Sequence, residues 1–150
     1  MYDIERITNI IKDIEKYKKD LEMMKIKSPN ELEDIRNLHA SSMLCFAILN
    51  RVIDLGQEIL IKEELGMPEK YADIFSKLSE VGLMNKKEAD EMNELIRFRN
   101  ILAHSYFELG KKDIFKIISH QELIDKFIEK IKKRVKKINN TRAKARGIRK

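Results

Sequence analysis

The stretch LEDIRNLHASSMLCFAILNRVIDLGQEILIKEEL, residues 32–65, decides the fold of this chain. It contains no proline, and its apolar residues recur at helical spacing until Gly66 and Pro68 interrupt the pattern. Just ahead of it, Ser28, Pro29 and Glu31 supply a capping hydroxyl, a proline at the first helical position and a carboxylate three residues after the cap. We therefore expect one long helix from about residue 29 to 65, kinked near the glycine at 56, as the spine of a bundle.

Start and stop signals elsewhere predict further helices with short connections. Residues 3–25 carry one apolar helical stripe, and Asn85 with Glu88 looks like a helix cap. The expected elements are a first helix at 3–25, a third from Pro68 to Gly82, a fourth at about 86–103, a helical turn at 113–118, and a last helix after a capping box at Ser119 to Glu122. The fold class is all-α, an antiparallel bundle of about five helices.

Composition limits the class of protein further. The chain has 150 residues, of which 43% are hydrophobic and 37% charged, with five Gly and two Pro, so we expect one helical domain. It lacks a run of about 18 apolar residues and a signal-peptide pattern, so a cytoplasmic location is expected. Cys45 is the single cysteine and lies in an apolar stretch, which favours a buried, inert thiol. There is no Gly-rich phosphate loop, so the chain is not expected to act as an ATP-binding enzyme.

The net charge of +6 is unevenly distributed. Residues 130–150 hold eleven Lys or Arg and no acid, whereas residues 1–129 hold twenty Lys or Arg against twenty-five Asp or Glu. We expect a helical domain at 1–138 followed by a basic C-terminal tail at 139–150. A solvated helix end and a phosphate-binding arm explain the tail equally well.

Chemistry is concentrated in RFRNILAHSY, residues 97–106, at the end of the fourth predicted helix. Arg99 and His104 are five residues apart, about 140° around a regular helix. We expect the helix to end near Ala103, which lets His104 turn toward the long Arg99 side chain. A guanidinium binds phosphate as a fork and an imidazole exchanges protons near neutral pH, so the pair suits metal-free RNA cleavage by the ribose 2′-OH. Such cleavage needs both an acid and a base, and one chain offers a single histidine at this cluster. A symmetric dimer that brings two sites together would therefore suit this chemistry.

At these residues the sequence resembles a known family. RNILAHSY, residues 99–106, matches the R-x4-H-x-Y signature of HEPN proteins, and specifically of HepT-like toxins paired with a minimal nucleotidyltransferase, MntA. Residues 50–55 (NRVIDL), 71–78 (YADIFSKL) with the glycine at 82, and 98–100 (FRN) also look like that family. The resemblance covers roughly residues 1–138.

The resemblance implies a homodimeric, metal-independent RNA endonuclease, the toxin of a type VII toxin–antitoxin system acting on RNA such as tRNA or mRNA. Arg99 and His104 would be catalytic, and Asn100 would support the local geometry. The cognate MntA-type antitoxin would silence the toxin by AMPylation of the motif tyrosine, Tyr106. Asp54 is interpreted as an orienting partner of Arg99 or His104. Neither a cofactor nor a metal is expected.

Structural interpretations of the same residues stay open. A buried polar network that closes the helix end would also explain Arg99, His104 and Tyr106. Asp54 and Glu58 share a helix face, where solvated or arginine-paired carboxylates are commoner than a divalent-metal site. Structural or solvated roles are favoured for the other two histidines, and core or dimer packing for the aromatic pair; these residues are His39, His120, Tyr71 and Phe75.

Two other functions remain as alternatives. The chain would serve as a non-catalytic helical binding subunit of a nucleotidyltransferase complex if the cluster at 99–106 is a docking site. It would be a nucleic-acid-binding protein if the basic tail dominates.

Overall fold

The computed structural model describes residues 2–105, 108–145 and 147, and these form six α-helices and one 3-10 helix with no strand. The helices are α1 (Ile4–Met23), the 3-10 helix (Pro29–Glu33), α2 (Ile35–Lys62), α3 (Tyr71–Glu80), α4 (Lys86–His104), α5 (Lys111–Ser119) and α6 (Gln121–Ala145). The predicted all-α bundle is confirmed, and the turn expected at 113–118 is a complete helix. Among the described helices, none has the length and apolar character needed to span a bilayer.

The central helix α2 is the spine of the bundle. Helices α1, α3, α4 and α5 all contact it, and its core-facing side chains are fully buried, as Leu49, Val52 and Ile59 show. Helix α6 joins the core through Phe127, whose ring meets that of Phe75 edge to face with 5.8 Å between centroids. Burial of these apolar side chains holds the helices together.

The predicted start of the spine at Pro29 is wrong. Residues Pro29–Glu33 form the 3-10 helix, and α2 begins only at Ile35. Asp34 is extended, with ψ of 119°, and its carboxylate accepts a hydrogen bond from the Arg36 amide at 2.9 Å. An aspartate that caps a new helix in this way ends the preceding turn, because its own backbone must leave helical geometry.

Gly56 lies inside α2, which continues through it without interruption. A Cβ at this position would lie 2.6 Å from Cγ2 of Ile74 on α3. The glycine that suggested a kink therefore has a packing role, since it lets α3 approach the α2 backbone closely.

The predicted boundaries of α3 and α6 also need correction. Helix α3 begins at Tyr71, after an extended Lys70, and not at Pro68. Ser119 does not cap α6: it is the last residue of α5, and its hydroxyl donates to the Phe115 carbonyl at 2.6 Å. A serine hydroxyl can satisfy the carbonyl one turn back as readily as it can cap the next helix.

Ion pairs fix the relative directions of α1, α2 and α6. Arg134 on α6 donates to Glu63 just after α2, with Nε 2.7 Å from Oε2, and the Tyr2 hydroxyl also donates to that carboxylate. Lys18, 6% exposed near the end of α1, donates to the Gln121 carbonyl at 3.2 Å. Helix α1 is thus antiparallel to both α2 and α6.

Helix α6 crosses residue 138 without a break, so the predicted boundary between domain and tail lies within a helix and stays a prediction.

Candidate active site

Helix α4 positions the predicted site residues near its C-terminal end. Asn85 and Glu88 form the predicted capping box at its start, and its inner face is buried through Met92, Leu95 and Ile96. The helix ends at His104, one residue later than expected, and the Ser105 amide donates to the Ile101 carbonyl at 2.7 Å. His104 is therefore the last residue of a regular helix and is exposed to solvent.

Arg99 is fixed by polar contacts with two neutral amides. Its Nε donates to Oδ1 of Asn50 on α2 at 2.6 Å, and its Nη1 donates to Oδ1 of Asn100 at 3.0 Å. These bonds use two of the five N–H donors of a guanidinium. No carboxylate in the described part of the chain pairs with Arg99, so its positive charge is not neutralised there.

Two aromatic rings also contact this guanidinium, one from α2 and one from α3. Its Cζ lies 5.4 Å from the ring centroid of Phe46 on α2 and 5.2 Å from that of Tyr71 on α3. Such cation–π contacts orient an arginine while leaving its charge intact. Tyr71 thus touches the site, whereas Phe75, four residues later, is fully buried in the core.

Arg99, Asn100 and His104 line one groove of about 800 Å³ between α4 and the start of α3. Lys70 and Arg97 also line it, and among the described residues Glu69 is the single carboxylate on its walls. A groove with three cations and one acid has a positive potential that attracts phosphate groups. The structure therefore brings the predicted Arg and His together on one anion-attracting surface.

Asp54 has a different partner from the one interpreted from the sequence. Its carboxylate accepts from Nη1 of Arg51 at 3.1 Å, and Arg51 also donates to Asp13 on α1 at 2.6 Å. No hydrogen bond or ion pair of the described structure joins Asp54 to Arg99 or His104, and Asn50, one turn earlier on α2, holds Arg99 instead. Asp54 therefore belongs to the contact between α1 and α2.

Glu58 likewise faces α1 and not the groove. It is 6% exposed and its Oε2 accepts from Nε of Arg6 at 3.0 Å. In the described part of the chain, no group of three His, Cys, Asp or Glu side chains is placed to hold a metal ion.

The remaining predicted residues are placed as follows. Tyr106 lies outside the described residues, so its prediction is not tested. His120 Nδ1 is 2.7 Å from the Lys116 carbonyl, which is the structural role favoured from the sequence. Cys45 is fully buried, and burial raises the pKa of its thiol to about 12, which keeps it protonated and unreactive.

Phe46 and Asn50 are the contact residues of Arg99 that sequence reasoning did not single out as functional. They lie four residues apart on one face of α2, next to each other along the helix. A half-buried asparagine at helical spacing from an aromatic residue was the available signal. It did not identify the partner, which lies 49 residues away in the chain.

Comparison with known proteins places the chain and its fold in a family context. The HepT-like ribonuclease family model matches residues 5–138. The mRNA nuclease HepT of Shewanella oneidensis is 30% identical over 81 residues, which are 53% of this chain and 61% of that protein. The chain spans about three fifths of the length of the curated relatives it matches.

Solved structures share the whole architecture. YutE of Bacillus subtilis, described as a cytosolic protein of unknown function, superposes with a TM-score of 0.79 at 20% identity, over 91% of this chain and 94% of that one. A tri-AMPylated Shewanella oneidensis HEPN toxin in complex with MNT antitoxin gives a TM-score of 0.77 at 25% identity, over 88% of this chain and 98% of that one.

Proposed function

Since this chain belongs to the HepT-like ribonuclease family, we propose that it is a metal-independent RNA endonuclease whose active centre is the groove containing Arg99 and His104. The family assignment confirms the resemblance inferred from residues 99–106. The observation that carries the proposal is the environment of Arg99. Two amides and two rings hold its guanidinium, and among the described residues no carboxylate neutralises its charge and no further acceptor bonds its other three donors.

The proposed reaction is an in-line transfer within the RNA. The ribose 2′-oxygen forms a bond to phosphorus, the bond from phosphorus to the 5′-oxygen breaks, and a 2′,3′-cyclic phosphate remains. His104 accepts the proton of the 2′-hydroxyl or delivers one to the departing 5′-oxygen. Arg99 donates to the non-bridging oxygens, where negative charge grows in the transition state. Asn100 and Asn50 keep the guanidinium in place for this role.

A homodimer completes the proposal, because one groove provides one histidine for a reaction that uses an acid and a base. An exposed stripe on α2 leads toward the site: Ile35 is 65% exposed and Met43 is 64% exposed, and Phe46 and Asn50 follow on the same helix face. Exposed apolar residues in such a row are typical of a protein interface. A second copy seated on this stripe would place two grooves close together.

We further propose that the activity is controlled by a nucleotidyltransferase antitoxin of the MNT type. The antitoxin would transfer AMP from ATP to the Tyr106 hydroxyl: the tyrosine oxygen bonds to the α-phosphorus, the bond to the β-phosphate breaks, and pyrophosphate leaves. The added phosphate would carry the kind of charge that the cationic groove attracts, and it would then compete with RNA for that groove. Support comes from the similar Shewanella toxin, which is AMPylated and bound to its MNT antitoxin.

The decisive experiment is cleavage of total RNA, mRNA and tRNA in EDTA by the wild type, His104→Ala and Arg99→Ala. We expect cleavage with 2′,3′-cyclic phosphate ends in the wild type and a loss of at least about 100-fold in both variants, as for removal of a transition-state donor. Arg36→Ala is the control, since it removes an exposed arginine outside the groove. No cleavage by folded, unmodified wild type would favour the non-catalytic binding subunit instead.

A further inference from the structure

The C-terminal half of α6 presents a row of lysines that the proposed active centre does not use. Six polar residues fall within an arc of about 140° of the helix circumference. We call them the basic face: Lys133, Lys136, Lys137, Asn140, Thr141 and Lys144. The apolar residues of the same helix segment, Ile131, Val135 and Ile138, lie on the opposite side, where the first two are buried in the core.

The lysines of the basic face differ in their partners from Lys130 and Arg134 on the same helix. Lys130 pairs with Glu88 at 3.0 Å, and Arg134 pairs with Glu63. None of the described carboxylates pairs with a lysine of the basic face, and residues 130–150 contain no acid. The four ammonium groups are exposed and together create a positive potential along almost three helical turns.

The make-up of the basic face indicates the kind of partner. Lysine is depleted in the cores of protein–protein interfaces, and the face offers no aromatic or aliphatic anchor of the type that dominates their binding energy. A membrane-surface helix would need bulky apolar residues on the same outward arc as its cations. The nearest apolar surface is instead the groove between α1 and α6, lined by Ile4 and Val135 and bordered by Lys136. Regularly spaced lysines with neutral polar neighbours suit contacts to phosphate and sugar, which carry no sequence information.

The position of the basic face sets how far such a ligand must reach. Helices α2 and α6 run in the same direction, and Arg134 pairs with Glu63 beyond the end of α2. From Asn50, which marks the level of the groove, the distance along the bundle is about 18 Å to Lys133 and about 35 Å to Lys144, at 1.5 Å per residue. A nucleic acid on the basic face therefore has to extend over several nucleotides to enter the groove of the same protomer.

We propose that the basic face is a docking surface for the sugar–phosphate backbone of RNA, remote from the active centre. This inference rests on the proposed function only in naming RNA as the polyanion. Binding here raises the local concentration of long RNA at the groove without selecting its sequence. Each phosphate neutralised on a single strand contributes about 0.7 to the slope of log K against log salt concentration.

The test is fluorescence anisotropy of a labelled 24-nucleotide single-stranded RNA with full-length protein carrying His104→Ala, in EDTA, over a series of salt concentrations. In that background we compare Lys133→Gln, Lys136→Gln, Lys137→Gln and Lys144→Gln, combined, with a control that removes the same charge elsewhere. The control combines Lys16→Gln, Lys19→Gln, Lys86→Gln and Lys87→Gln, all at exposed positions of α1 and α4. Melting curves check that both variants fold.

We expect the basic-face variant to weaken Kd at least tenfold near 0.1 M salt and to lower the salt slope by about 2 to 3, and the matched Lys→Arg variant to bind normally. Equal weakening in the control, or no weakening in the basic-face variant, would overturn the proposal. So would equal, lysine-dependent binding of polyglutamate or of phosphatidylserine vesicles, which would indicate an acidic protein or a membrane. Because the assay needs no cleavage, inactivity of the wild type on RNA would refute the proposed function and leave this result standing.

Discussion

Three arginines whose contacts the structure describes, Arg51, Arg134 and Arg99, occupy two kinds of environment. Arg51 and Arg134 each face carboxylates, and the hydrogen bonds that they donate to Asp13 and Glu63, respectively, raise the pKa of their guanidinium groups further. Arg99 instead faces two amides and two rings. The charges of the paired arginines are neutralised by the carboxylates that they bind, whereas no described carboxylate pairs with Arg99. The difference shows how one side-chain type can be structural in one place and anion-binding in another.

The largest expected effect comes from Arg99→Lys, which keeps the positive charge and removes the planar guanidinium with its parallel N–H donors. Lysine cannot bond Asn50 and Asn100 while also presenting two parallel donors to a phosphate. We expect kcat/KM for RNA cleavage to fall at least about 100-fold with little change in Tm. For Arg134→Lys we expect the reverse, a lower Tm with unchanged kcat/KM. If both variants changed kcat/KM and Tm in the same way, the distinction between the two arginine environments would be wrong.

The next effect concerns stability at Glu63, the acceptor for Arg134 and Tyr2. Glu63→Gln leaves Arg134 without its countercharge, and we expect a loss of about 1 to 3 kcal/mol in the free energy of unfolding, measured by urea denaturation at pH 7. Cleavage per folded molecule should be unchanged, since Glu63 follows the end of α2 and does not line the groove.

The pH dependence of stability sharpens the same prediction. Burial alone would raise the pKa of Glu63, but hydrogen bonds from Arg134 and Tyr2 outweigh it and the net pKa is lowered from 4.5. Because the pKa of Glu63 is lower in the folded than in the unfolded state, its ionisation stabilises the folded state, and this contribution is fully present above pH 4.5. The contribution is lost as the pH falls through the pKa of the folded state. Glu63→Gln should flatten this acid limb; an unchanged limb would show that Glu88 and Glu94, whose pKa values are also lowered, account for it.

The smallest expected effect is that of Asn50→Asp, which gives Arg99 a carboxylate partner like those of Arg51. The new carboxylate would strengthen the contact and neutralise the guanidinium, so we expect cleavage to fall about tenfold while Tm holds or rises slightly. Gln57→Glu adds the same charge elsewhere on α2 and should leave cleavage within a factor of two. Normal cleavage by Asn50→Asp would mean that the charge of Arg99 is not needed.

Local patterns predicted much of the fold. The Asn85 cap and the inward side chains of α4 follow from spacing and side-chain chemistry within a few residues, and the structure has both. The same kind of reasoning was wrong at Asp34 and Ser119, because a short polar side chain can bond to backbone on either side of it. Which of the two bonds forms depends on packing of the neighbouring helices and not on the local sequence.

For the site, the sequence was sufficient to nominate Arg99, Asn100 and His104 and to identify the family. It assigned the polar partner on α2 to Asp54, whereas Asn50 holds Arg99. Spacing along one helix cannot decide which of two polar residues one turn apart faces a second helix, because that depends on the rotation of α2 against α4.

By itself, the sequence determined the helical class, the presence of Arg99 and His104 near the end of one helix and the concentration of positive charge from residue 130 onward, because these depend on composition and on spacing within single helices. The tertiary structure alone decided which charges are neutralised. Contacts such as that between Asn50 and Arg99 join residues 49 positions apart, and they form only when the burial of apolar faces has fixed how the helices lie against one another.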